Sequence, residues 1–232
     1  MSGRRLGLWF AAALASGLLL FVPLQLVLPR LSLPSALAAT GVDGHLWRGR
    51  LRQARWQSAP LGDVRLGLSP LPLLAGRRQL WLQGQDAALF LHSGRLRGIE
   101  RVSGVVPLPA PSGLSLRASL ENAGLLFDDE GCREAGGRVR VELAVADEAL
   151  PPVILAGSPE CAGRKGVLAL VPEQASGALQ VEASFEVDSD GRYRLQSLAR
   201  SDDPALRASL LAAGFQQAPG GFSRVDSGSF GD

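Results

Sequence analysis

Histidine occurs twice in this chain of 232 residues, cysteine twice and lysine once. A serine nucleophile needs an oriented base beside it, so His45 and His92 limit the acid–base chemistry open to the chain. His45 lies two positions from Asp43 in a glycine-flanked stretch, a spacing that suits a solvated or structural pair. His92 stands beside Ser93, a neighbour that gives it less catalytic weight than His45. There is no Gly-x-Ser-x-Gly elbow, and neither phosphate-loop nor dinucleotide glycine spacing occurs. Asp128-Asp129-Glu130 is the densest acidic run but lacks the alternating ligands of a calcium loop, so it reads as a solvated hairpin end. Two cysteines without adjacent histidines fall short of a four-ligand zinc site. Nearly all the positive charge is arginine, and a net charge of +2 is too small for a nucleic-acid binder making many phosphate contacts. No catalytic, cofactor-binding or metal-ligating set emerges, and no cofactor is expected.

One long apolar run is present, near the start. After Met-Ser-Gly-Arg-Arg, no charged side chain occurs from Leu6 to Leu28. As a helix rising about 1.5 Å per residue it spans roughly 34 Å, against about 30 Å of bilayer core. Arg4 and Arg5 favour retention of the leading end in the cytoplasm. The expected layout is a cytoplasmic start (1–5), a transmembrane signal anchor (6–28) whose far end frays or kinks at Pro23, Gln25 and Pro29, and an extracytoplasmic portion (29–232). The competing reading is a cleaved signal peptide with a small-residue site at Ala36-Leu37-Ala38. That site lies well beyond the run, and the run exceeds the usual h-region of about 7–15 residues.

Outside the cytoplasm, a single pair of cysteines reads as a disulfide, so Cys132 and Cys161 are expected to pair. On the chain-entropy account such a link contributes about 3–4 kcal/mol. Two free thiols are the other reading.

The extracytoplasmic portion is strand-like. Val64–Leu68, Gln79–Gln83, Ala87–Leu91, Leu114–Leu120, Arg138–Val145, Gly166–Val171 and Leu179–Val187 alternate apolar with polar or small residues. Gly-rich punctuation between them predicts an antiparallel meander with one face packed. Asp188-Ser189-Asp190-Gly191 is a hairpin turn by composition. The proline-rich stretch 106–113 reads as a linker between an earlier sheet half (41–106) and a later one (113–225), as two domains or as one bent sheet. One helix is marked: Asp203 as cap, Pro204 at its first position, Gly214 at its exit, and Leu206, Leu210 and Leu211 as an apolar stripe. Gly220–Val225 is a last short strand and Asp226–Asp232 a loose tail.

The most distinctive segment follows the apolar run: Gly41-Val42-Asp43-Gly44-His45-Leu46-Trp47-Arg48-Gly49. Gly41, Gly44 and Gly49 are read as turns that launch the sheet, and Trp47 as a core or sheet-seeding residue. Arg48, Arg50 and Arg52 are evenly spaced, which favours the polar face of a strand over contact with lipid headgroups. Arg55 follows them.

This segment resembles the Gly-x-x-Gly-x-x-Trp-x-Gly pattern of the type II secretion system protein N (general secretion pathway protein N) family. The cysteine region is similar too: Gly131-Cys132 with Gly136-Gly137, then Leu155-Ala156-Gly157 through Cys161-Ala162-Gly163. The resemblance implies a mainly β fold, with an N-terminal transmembrane helix, a bent antiparallel sheet and one C-terminal helix. It implies a single-pass protein of the bacterial inner membrane whose bulk is periplasmic. Its role would be a non-enzymatic accessory part of the type II secretion apparatus, acting through other inner-membrane and periplasmic components. The alternative is a periplasmic lipid-binding or lipid-transfer module with an apolar sheet groove. An anchored hydrolase has no catalytic set to support it.

Overall fold

The structure, a computed structural model, describes residues 7, 9–10, 17, 21–27, 37–56, 59–108, 114–145, 152–174 and 179–230. The chain divides into two units, Met1–Gln85 and Asp86–Asp232.

In the first unit the described elements are α1 (Leu24–Val27), β1 (Leu37–Ala38), β2 (Gly41–His45), β3 (Arg48–Trp56), β4 (Ala59–Leu68), α2 (Pro70–Leu74) and β5 (Arg78–Gln83). Both β1 and β2 pair with β3, and β4 lies between β3 and β5, all antiparallel. Period-two alternation decides which side is packed. Leu51, Ala54, Val64, Leu66 and Leu80 are buried, while Arg48, Arg50 and Arg52 are exposed. Each buried leucine contributes about 1.5–3 kcal/mol.

The expected start (1–5) and most of the expected anchor (6–28) lie outside the described residues. Among the described residues, no helix is long and apolar enough to cross a membrane. At the far end of the run the described backbone is not a continuous helix, and the break falls at Pro23, the first of the positions named for a fray or kink. Pro23 forms an antiparallel bridge with His45, and α1 is a single turn after it. Proline lacks the N–H for a helix and pushes the residue before it toward extended backbone.

The second unit is a meander with two exceptions. Its strands are β6 (Ala87–Ser93), β7 (Arg97–Leu108), β8 (Leu114–Asp128), β9 (Gly131–Val145), β10 (Val153–Gly157), β11 (Pro159–Ala162), β12 (Lys165–Pro172), β13 (Gln180–Val187), β14 (Arg192–Arg200), β15 (Gln216–Ala218) and β16 (Gly221–Ser229). β11 lies along β12, and β16 pairs with β14 while β15 takes its outer side. Val102, Ala118, Val139, Val141, Leu155, Leu170, Val181 and Ala199 form the core on one face.

The helix α3 (Pro204–Ala212) starts where composition places it: the Asp203 carboxylate accepts from the Ala205 N–H at 2.8 Å. Gly214 exits at φ +86°. Leu210 packs against the core, but Leu211 is exposed and does not widen the stripe. In the 188–191 turn, Asp188 Oδ1 accepts from the N–H groups of Asp190 and Arg192.

Two local readings change. β7 continues through Val106-Pro107-Leu108, with Pro107 opposite Arg117 of β8. Pro107 lies beyond Ala87–Gly104, the last register pair of β7 with β6, so its missing donor removes no bond of that ladder. Residues 109–113 of the expected linker lie outside the described residues. The tail also orders further than expected. β16 pairs with β14 as far as Ser229–Arg192, and the Phe230 ring packs tilted against Tyr193, centroids 4.9 Å apart.

Among the described residues, three non-glycine positions of positive φ fall at irregularities of the ladders. Gln53, Arg101 and Asn122 have φ of 48°, 50° and 50°, and each lies inside a register shift. Two of the displaced N–H groups find side-chain acceptors: Gln53 donates to Asp63 and Asn122 to Ser103, both at 3.1 Å. Bulges of this kind bend and twist a strand locally.

Candidate functional site

The motif 41–49 folds into a hairpin. Leu46-Trp47 is its two-residue turn, with His45 opposite Arg48 and Gly44 opposite Gly49. Gly44 adopts φ +89°, and a side chain there would strike the Arg48 carbonyl. Glycine is required on both counts. Gly49 is needed for room, because a Cβ would fall on Leu24 Cδ2 and Leu24 is 0% exposed. At Gly41 the constraint is softer, since a Cβ would first meet the flexible Arg52 side chain, 3.2 Å from its Nε. Trp47 is half-buried in the turn, while Leu46 takes the buried position.

The segment closing over this hairpin belongs to the far end of the apolar run. The Leu46 N–H donates to the Val22 carbonyl at 2.9 Å, and the Leu46 carbonyl accepts from the Leu68 N–H at 3.0 Å. Gln25 Nε2 donates to the Val42 carbonyl at 2.7 Å, and the Phe21 ring meets His45 edge-on at 5.7 Å. From β4, Gly67 leaves room for the Trp47 carbonyl, because a Cβ there would strike that oxygen and come within 2.9 Å of the Trp81 ring. The hairpin is therefore held between residues 21–25 and β4. Sequence reasoning missed this junction because Leu24 looks like one more lipid-facing residue. The available signal was Pro23, which stops a helix just before a segment whose glycines leave space.

The outward face of β3 carries charge. Arg52 makes two bonds to Asp43, at 2.7 and 3.0 Å, and Arg50 lies 3.6 Å from Asp63. Exposed pairs of this kind contribute about 0–1 kcal/mol each. Arg65 lies opposite Arg50, so like charges adjoin and the face stays positive.

In the second unit Cys132 and Cys161 are joined, with Cα atoms 5.5 Å apart. β11 continues the line of β10 along β12, but the β9–β10 pairing ends at Gly157–Val139. The disulfide links β9 to β11 beyond that point, and the Cys132 N–H donates to the Arg164 carbonyl at 3.1 Å. Gly137, with φ +86°, faces the Asn122 bulge, where a Cβ would strike Ala123.

Asp129-Glu130 forms the β8–β9 turn. Asp128 accepts from Arg133 Nη1 and from the Glu130 N–H, each at 2.9 Å. Those bonds, the Arg133 one first, hold the Asp128 carboxyl below its ordinary range. Lys165 likewise lowers Glu186 through a 2.8 Å bond. The buried His92 ring meets Glu100 at 2.6 Å, Glu100 also meets Arg101 at 3.1 Å, and the Arg101 guanidinium lies 4.6 Å over the Phe90 ring. This cluster braces the Arg101 bulge. Among the described residues, no group of three or more His, Cys, Asp or Glu is placed to hold a metal ion.

The sites thus consist of a packed junction, a charged strand face and a cross-linked ladder. The family model described as "Type II secretion system (T2SS), protein N" matches residues 35–224. A curated relative, "Type II secretion system protein N" of Vibrio cholerae serotype O1 (strain ATCC 39315 / El Tor Inaba N16961), is 25% identical over 209 residues, covering 82% of this chain and 83% of its own. No solved structure matches. With most of its length matched from before the hairpin motif to the last strand, the chain belongs to the type II secretion system protein N family.

Proposed function

We propose that this protein is an accessory, non-enzymatic component of the type II secretion apparatus. It is held in the inner membrane by the apolar run that begins at Leu6, with its leading end cytoplasmic and its far end, residues 21–25, docked on the hairpin, and it displays its β units in the periplasm. It supports export of folded proteins through contacts with inner-membrane and periplasmic parts of that apparatus. Family membership carries this reading. The Cys132–Cys161 bond supports it, since such bonds persist in oxidising compartments.

The test is deletion of the gene followed by measurement of exoproteins in the medium. Release should fall and recover on complementation, and crosslinking of the full chain should capture apparatus subunits. Undiminished release with no captured subunit would count against the proposal. Acyl ligands retained in native mass spectrometry would favour the lipid-carrier alternative.

A further inference from the structure

The β4–β5 connection is unusual. A sheet-connecting turn is ordinarily polar, rich in Gly, Asn, Asp or Ser. Here it is α2, Pro-Leu-Pro-Leu-Leu, and none of its residues is buried. Leu71 is 78% exposed and Leu74 86%. Exposed Arg77 and Arg78 follow at once, and from Val64 to Gln85 the chain has no acidic residue.

Its position in the fold is informative. Leu68, two residues before α2, donates to the carbonyl of Leu46 in the hairpin turn, and Leu46 in turn donates to Val22. The end of the apolar run, the hairpin turn and α2 therefore gather at one end of the first unit's sheet. Phe21 and Leu26 are exposed there, and Trp47 and Trp81 flank Gly67 half-buried. Exposed leucines, half-buried tryptophans and arginines without acids make up the composition of a segment lying in a membrane interface.

We propose that α2 with Arg77 and Arg78 is a membrane-contact tip, its leucines seated at the headgroup–acyl boundary of an anionic bilayer. The arginine stems lie along the apolar layer while their guanidinium groups reach lipid phosphates. A second protein is the less suitable occupant. Stable protein interfaces bury about 1,200–2,000 Å², far more than a five-residue turn offers, whereas interfacial insertion has no such requirement. The inference builds on the membrane reading of residues 6–28, which fixes the end of the unit that meets the bilayer.

The test uses the full chain carrying one added cysteine, Leu71→Cys, Leu74→Cys or, at the far end of β5, Gln85→Cys. Cys132 and Cys161 stay oxidised, and the added thiol bears an environment-sensitive fluorophore. These three sites are exposed, so substitution leaves the core intact. In phosphatidylglycerol-containing vesicles, emission at 71 and 74 should shift to the blue and be mostly lost to acyl-chain spin-labelled lipid. Emission at 85 should instead be quenched by aqueous iodide. Arg77→Glu with Arg78→Glu, or vesicles of phosphatidylcholine alone, should abolish most of the lipid quenching at 71 and 74. Iodide quenching at 71 and 74 would overturn the proposal. So would shielding from both quenchers, which would assign the tip to a protein contact. Alkaline extraction tests the anchor separately. A chain that extracts yet shows lipid quenching at neutral pH removes the anchor and retains the tip, whereas a firmly held chain with iodide-accessible leucines does the reverse.

Discussion

Leu24 and Gly49 are complementary in shape. The leucine is 0% exposed because the glycine opposite it has no Cβ, and any Cβ there would overlap Leu24 Cδ2. Leu24→Ala should therefore cost about 2–5 kcal/mol as a buried truncation. Gly49→Ala should cost about 1–3 kcal/mol by overpacking. In the double variant the alanine methyl occupies space the leucine has left, so the losses should fall short of their sum by about 1 kcal/mol or more. Urea unfolding of the full chain in mild detergent, followed by tryptophan emission, gives the three values. Strict additivity would mean the two side chains do not share that space.

Among the elements, the β8–β9 hairpin has a pH dependence to read. Asp128 has its carboxyl lowered by Arg133 and by the Glu130 N–H. A folded pKa below the unfolded one adds stability that is fully present above about pH 3.9 and is lost as pH falls through the folded value. Amide protection across the 128–133 turn should hold from neutral pH down to about pH 4 and decline below it. Asp128→Asn should weaken protection at neutral pH and flatten that decline, as hydrogen exchange would show; an unchanged acid profile would remove Asp128 from the account. This turn was legible from sequence because its chemistry is local: acidic residues ahead of Gly131, just as Asp188 to Gly191 mark the next clear hairpin. The alternating runs and the Asp203–Pro204 helix start were legible for the same reason. What depended on distant neighbours was not. Pro107 stays in a strand because of where β6 ends, Phe230 is ordered by Tyr193, and Val22–Gln25 dock on a hairpin some twenty residues away. Hydropathy alone made residues 21–25 look like membrane. Only pairing across the chain shows their second role.

Across the whole molecule, the disulfide provides a way to perturb one unit selectively. It lies in Asp86–Asp232, spans a sequence separation of 29 and links β9 to β11 where the β9–β10 pairing has stopped. Removing it should cost about 3–4 kcal/mol on the loop-entropy account, a large share of the 5–15 kcal/mol typical of a domain. The packed residues Leu24, Leu51, Val64 and Leu66 of Met1–Gln85 draw nothing from the loop it closes. Reduction, or Cys132→Ser with Cys161→Ser, should therefore raise hydrogen exchange in β9, β10, β11 and β12. Amides of β2, β3 and β4 should keep their protection. Equal loss in both sets would show that the units open as one cooperative body. Selective loss would mean that the hairpin junction at residues 21–49 holds when the oxidative cross-link does not, so attachment at that end is independent of redox state in the rest of the chain.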